Sequence, residues 1–160
     1  MGFVYGVPYN GTLTNTGGNA DLFEFTPADD KPIALRGLLL SQNTELGDTA
    51  EEAIDISVIR LPATVTSGNG TAVTPTLLND LAPAAGFAAE ANGATVATTS
   101  GTAATLVQFS WNIRNSPLEM WWPEDKYAIT CRQASALVVR CNSTVADDVT
   151  ISITAYVEEF

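Results

Sequence analysis

Histidine is absent from this chain, and cations are scarce: seven Lys and Arg stand against 18 Asp and Glu, a formal charge of −11. The first absence removes the commonest general base, the commonest metal ligand and the usual partner of a Ser or Cys nucleophile. The second argues against nucleic acid as a partner, because a phosphate backbone is repelled at long range with little basic surface to offset it. Anionic membrane surfaces are repelled in the same way. Long apolar runs are missing too. Stretches such as Gly37 to Leu40 are strand-sized, far short of the roughly 20 residues a spanning helix needs. The N-terminus, MGFVYGVPYNGT, has neither the basic n-region nor the continuous apolar h-region of a cleaved signal, so the expected site of synthesis and folding is the cytoplasm. In that reducing compartment the two cysteines, Cys131 and Cys141, are expected as thiols. Their segment, TCRQASALVVRC, reads as a hairpin turning near Gln133 and Ser135, which sets Cys131 opposite Ala136 and away from Cys141.

What the chain does contain is 46% hydrophobic residues over 160 positions, enough for one sizeable core, with 12 Gly and 8 Pro among many Thr, Ala, Val and Ile. That mixture favours strands punctuated by turns. The expectation is a single all-β domain over 1–160: an antiparallel two-sheet sandwich of jelly-roll type with long loops. Period-two alternation marks three strands: Val149 to Val157, Val107 to Ile113, and Ile54 to Val58. Six more candidates bring the count to about nine: Phe3 to Tyr9, Leu22 to Phe25, Pro32 to Gln42, Leu118 to Trp122, Tyr127 to Cys131, and Ala136 to Cys141. Ile33 to Leu40 carries apolar residues on both parities, as expected of a central strand or of one whose outer face meets a neighbour. The stretch from Ala63 to Gly101 reads as long projecting loops, with one helical turn at Thr76 to Ala82 packing Leu77, Leu78 and Leu81 inward and a short strand at Ala94 to Thr98. Residues 1–20 are a candidate N-terminal arm, in which Phe3, Tyr5, Val7 and Tyr9 alternate well enough to demand pairing.

No motif points to catalysis. The acidic cluster Glu45, Asp48, Glu51, Glu52 and Asp55 lacks EF-hand spacing and reads as a solvated turn, so no metal is assigned. TSGNGT has no following Lys and opens no helix, which excludes a P-loop. The sequons at Asn10, Asn69 and Asn142 carry no weight in a Thr-rich chain. A paired-carboxylate hydrolase needs only two acids on facing strands, but no pair stands out. Trp121 and Trp122 are adjacent, so in a strand they point to opposite faces; with Leu118, Met120 and Trp122 on one parity, Trp121 is the outward ring. Such a ring can stack on a sugar or bury at a subunit interface.

The segments RGLLLSQNTELGDTAEEAIDISVIRLP, TSGNGTAVTPT, AAGFAAE, FSWNIR, LEMWWPED, ALVVR and DDVTISITAYVEE, in that order, resemble small virion proteins of tailed bacteriophages, in character those of head decoration or cement proteins. The resemblance spans roughly Phe25 to Glu159. It implies a non-enzymatic jelly-roll protein, often a homotrimer, that sits on the virion surface and clamps neighbouring copies of the major capsid protein without a cofactor. Its contact residues are expected among Phe3, Tyr5, Tyr9, Leu38, Leu40 and Trp121. Arg36, Arg60, Arg114 and Arg140 are expected to pair with acids, within the chain or on an adjacent subunit. The alternative function is a carbohydrate-binding module of a tail spike or fibre, with Trp121 as the sugar platform.

Overall fold

A computed structural model describes residues 2–14, 18–44, 52–115 and 117–160. The chain is all-β. Each of the nine expected segments contains a strand, although Tyr127 falls in a 3-10 turn over Asp125–Tyr127, and five further short strands in the stretch expected as loops raise the count among the described residues to fourteen. In chain order these are β1 Phe3–Leu13, β2 Ala20–Thr26, β3 Ile33–Gln42, β4 Ala53–Leu61, β5 Val65–Thr66, β6 Thr71–Val73, β7 Thr76–Leu77, β8 Ala88–Gly93, β9 Thr98–Thr99, β10 Ala104–Asn112, β11 Leu118–Trp121, β12 Ile129–Cys131, β13 Ala136–Cys141 and β14 Val149–Glu159. One sheet runs β11-β3-β14-β1-β7, with β12 also on β3; the other runs β10-β4-β13-β2-β8-β6. Every strand pairing is antiparallel, and the two sheets form a sandwich.

Alternation decides which side chains fill it. Along β14, Val149, Ile151, Ile153, Ala155 and Val157 are buried while Thr150, Ser152, Thr154 and Tyr156 are only partly so. They meet Phe23, Phe25, Ile54, Ile56, Leu137 and Val139 of the opposite sheet in one continuous core. Tyr5 and Phe25 both pack edge-on against Phe87, with ring centroids 5.7 and 6.3 Å apart.

β3 is an interior strand, flanked by β14 on one edge and by β11 and β12 on the other, as one of the two expectations has it, and its double-parity apolar pattern has a further cause. Val157 pairs with Leu35 and Tyr156 with Gly37, so Arg36 is an extra residue, a β-bulge. The bulge reverses parity: Ile33 and Leu35 face the core before it, Leu38 and Leu40 after it. A comparable shift at Leu22 buries consecutive residues of β2.

Four further expectations change. The N-terminal segment is no free arm: β1 pairs with β14 over its full length, from Phe3–Glu159 to Leu13–Val149, and Pro8 interrupts its outer edge. The segment from Cys131 to Cys141 is no hairpin, since β12 joins β3 and β13 joins β2 and β4, so the chain crosses between sheets there. Both cysteines are buried free thiols, and burial pushes Cys131 up to about 11, partly offset by Arg60. Thr76 to Ala82 is not a helical turn. Leu77 pairs with Tyr5 at the edge of β1, and Asn79 accepts hydrogen bonds from Leu81 N (3.0 Å, side chain) and Ala82 N (2.8 Å, main chain). The turn buries Ala82 and leaves Leu81 90% exposed. Likewise Ala94 to Thr98 contributes only the first residue of β9. Of the acidic cluster, Glu45, Asp48 and Glu51 lie outside the described residues.

Candidate functional site

The two outer faces of the sandwich differ. On the β13 side, the two-stranded ribbon of β5 and β9 folds back and covers the sheet. Ile59 and Leu61 of β4 and Ala136 and Val138 of β13 pack there against Val65 and Ala97 in a second apolar cluster. Buried carboxylates fasten this cover. Asp21, 2% exposed, receives Arg140 Nε at 2.6 Å and the Ala97 main-chain N–H at 2.6 Å, while Arg140 also donates to Ala97 O at 2.8 Å. Glu24 accepts from Gly68 N at 3.0 Å and Ser67 Oγ at 3.1 Å through one oxygen; its other oxygen is buried without a partner among the described residues.

Burial raises the Glu24 carboxyl above its ordinary range, the Gly68 and Ser67 hydrogen bonds pull it back, and the charge of Glu90, its register partner, adds to the rise. Native Glu24 therefore holds its proton to higher pH than the unfolded chain does. Its contribution to stability is complete below the ordinary Glu value and is lost as pH rises through the raised one. Glu24→Gln is expected to flatten this limb: thermal melts of variant and parent should converge near about pH 4 and separate by about pH 8, with the variant higher. Curves that stay parallel across that range would refute the assignment.

The face on the β14 side is open, and a row of registered residues crosses it. Trp121 of β11 lies opposite Gly37 of β3, Gly37 opposite Tyr156 of β14, Tyr156 opposite Gly6 of β1, and Gly6 opposite Thr76 of β7. Aromatic side chains alternate with glycines, and Gly37 leaves room for the Trp121 ring to lie along the sheet, whereas a side chain at Gly6 would meet Leu78 only at ordinary contact distance. A Cβ added at Gly37 would sit 2.5 Å from Trp121 Cε3, and one at Gly6 would sit 3.5 Å from Leu78 Cδ2. Trp121 and Tyr156 stack at 4.9 Å between centroids with planes 30° apart, a pair worth about 0.5–1.5 kcal/mol beyond its area. Trp121 still exposes 52% of its surface and Leu78 57%. Gly37→Ala is accordingly expected to displace the indole with little harm to the core. Tryptophan emission should shift red and stability fall by about 1 kcal/mol; unchanged emission would show that the ring is not held over Gly37.

One end of the row is fixed electrostatically. The bulge residue Arg36 donates from Nε to Glu158 at 2.6 Å and from Nη2 to Asp125 at 2.6 Å, and its carbonyl accepts Trp122 N at 2.8 Å, tying the chain that follows β11 to the sheet. Beside the row lies a shallow depression of about 290 Å³, lined in part by Pro8, Asn10, Leu39, Ser41, Ser152 and Thr154 and carrying no charged side chain.

The expected contact residues are therefore split. Trp121 and Phe3 are exposed, as the sequence predicts, and Tyr9 is partly buried against the core. Tyr5, Leu38 and Leu40 are fully buried and leave the set: Tyr5 has inward parity and donates its hydroxyl to Pro83 O at 3.0 Å, and the bulge turns both leucines inward. Tyr156 and Leu78 take their place; Gly37 and Gly6 are themselves buried beneath the row. Of the four arginines expected to pair with acids, Arg36 and Arg140 do so within the chain, whereas Arg60 and Arg114 make no ion pair among the described residues. Comparison with protein-family models, with curated proteins and with solved structures gives no match.

Proposed function

We propose that this chain is a structural virion protein of the head-decoration kind, binding the outer capsid lattice through the open face of the β14 sheet. The observation that carries the reading is the asymmetry of the sandwich: one outer face is closed by the chain's own ribbon, and the other presents a flat aromatic row with an uncharged depression beside it. Flat faces anchored by Trp and Tyr suit broad protein contact, since large rigid rings give contact area at low entropic cost. The sheet order supports the jelly-roll reading, because β3, β14 and β1 adjoin in one sheet while β4, β13 and β2 adjoin in the other, as in a ribbon folded twice across itself. Alongside the resemblance noted above, these features favour the major capsid protein as the partner and three copies as the assembled unit.

The reading is tested by mixing the purified chain with phage heads assembled without it. Co-sedimentation, with a rise in the heat resistance of the heads, is the expected outcome; a chain that stays in the supernatant would end the proposal. The stacked, half-exposed Trp121 ring also favours a second reading, a sugar platform on a tail spike or fibre. Quenching of its fluorescence by an oligosaccharide, with no binding to heads, would select that reading instead.

A further inference from the structure

Strand β10 ends its sheet. It pairs with β4 along one edge, and no strand among the described residues pairs with the other. Exposed edges of this length are ordinarily blunted by lysine, proline, shortness or a bulge, and β10 has only the last, near its start. β10, ATLVQFSWN, has nine residues without a charge or a proline, and its single irregularity is a bulge at Leu106. Two of its core-facing side chains, Val107 and Phe109, pack against the core yet are only partly buried, at the edge where no described strand continues the sheet.

We infer that β10 is a self-pairing edge, joining two copies of this chain in an antiparallel ladder whose two-fold axis passes through Gln108. The register follows from which side chains lack cover. With Gln108 opposite its own symmetry mate, Val107 of each copy meets Phe109 of the other, an aromatic to β-branched pair, so each incompletely covered residue is completed by its counterpart. Leu106 then faces Ser110, and its bulge ends the regular ladder. Charges along the edge also match. Arg60 and Arg132, without ion pairs among the described residues, line a pocket with Ala104 at one end, whereas Asp55 lies beside Ser110 near the other. Antiparallel pairing sets the basic end of one copy towards the acidic flank of the other. Arg114 falls two residues past the last strand residue, beyond the ladder. Such a contact is separate from the β14-sheet face and can link neighbouring units side by side.

Gln108 is exposed, and its amide donates to Asp55 Oδ2 at 3.0 Å, so it tolerates substitution. In this register a charge at position 108 faces itself. Light scattering behind a sizing column should give an even number of chains for the parent. Gln108→Lys alone and Gln108→Glu alone should each halve that mass, weakening association by about tenfold or more, and mixing the two variants should restore it. Circular dichroism of each variant checks that it is folded. An even assembly that halves with each single variant and returns on mixing supports the ladder. A monomer at all concentrations, or a mass that neither variant changes, overturns it. A stable trimer indifferent to Gln108 would overturn the ladder while leaving the capsid-binding reading intact.

Discussion

Replacing Asp21 with alanine is expected to lower unfolding free energy by about 3–5 kcal/mol, because it strands Arg140 as an uncompensated cation under the β5–β9 ribbon. The side chains of the pair are only 3% and 14% exposed, so neither charge has water to fall back on. Asp21 also holds the Ala97 amide, and Arg140 holds the Ala97 carbonyl, so the loss has a local signature as well. Amide exchange at Ala97 should accelerate more than exchange in β14, and the penalty should resist added salt, as exposed ion pairs do not. Asp21→Asn keeps an acceptor for Ala97 and should cost less. A loss below about 1 kcal/mol for Asp21→Ala would mean that the pair is solvated and the ribbon is held by its apolar contacts alone.

Trp121→Ala has the largest expected effect on binding. Truncating a tryptophan that anchors an interface typically costs about 2–4 kcal/mol, or about 30- to 700-fold in affinity for heads. Its cost to folding should stay near about 1 kcal/mol, since the ring is half-exposed and its chief intramolecular partner is Tyr156. The separation of the two effects is what distinguishes a contact residue from a core residue. Tyr156→Ala should weaken binding in the same direction, and Trp121→Phe should recover part of it. A Trp121→Ala chain that binds heads with unchanged affinity would remove the aromatic row from the interface.

Strand positions were legible because alternation is local: Val149 to Val157 names its own buried face without reference to any other segment. Tyr156 was legible on the same ground, as an aromatic residue on the otherwise polar parity of β14, although nothing local says what lies beside it. The arrangement that makes it part of a site depends on register across five strands, with Gly37 admitting the Trp121 ring, and pairing of that kind is non-local. Leu38 and Leu40 were misplaced by one extra residue, because a bulge at Arg36 reverses parity and leaves no mark in composition. The ribbon over β13 was hidden for a related reason. Its two strands have two residues each, too few to show a period, and its anchors Asp21, Glu24 and Arg140 lie far away in sequence. Leu81 was misread because leucines near prolines suggest a packed helical turn, whereas the side chain and carbonyl of Asn79 organise a turn that points Leu81 outward.

The most direct test of the capsid-docking claim is oxidative footprinting of the tryptophans on the free chain and on the chain bound to assembled heads. Trp111, 2% exposed, serves as the internal reference that should react poorly in both. If the open face of the β14 sheet is the docking surface, Trp121 reacts readily in the free chain and becomes protected on heads. Equal reactivity of Trp121 in the two states would contradict it.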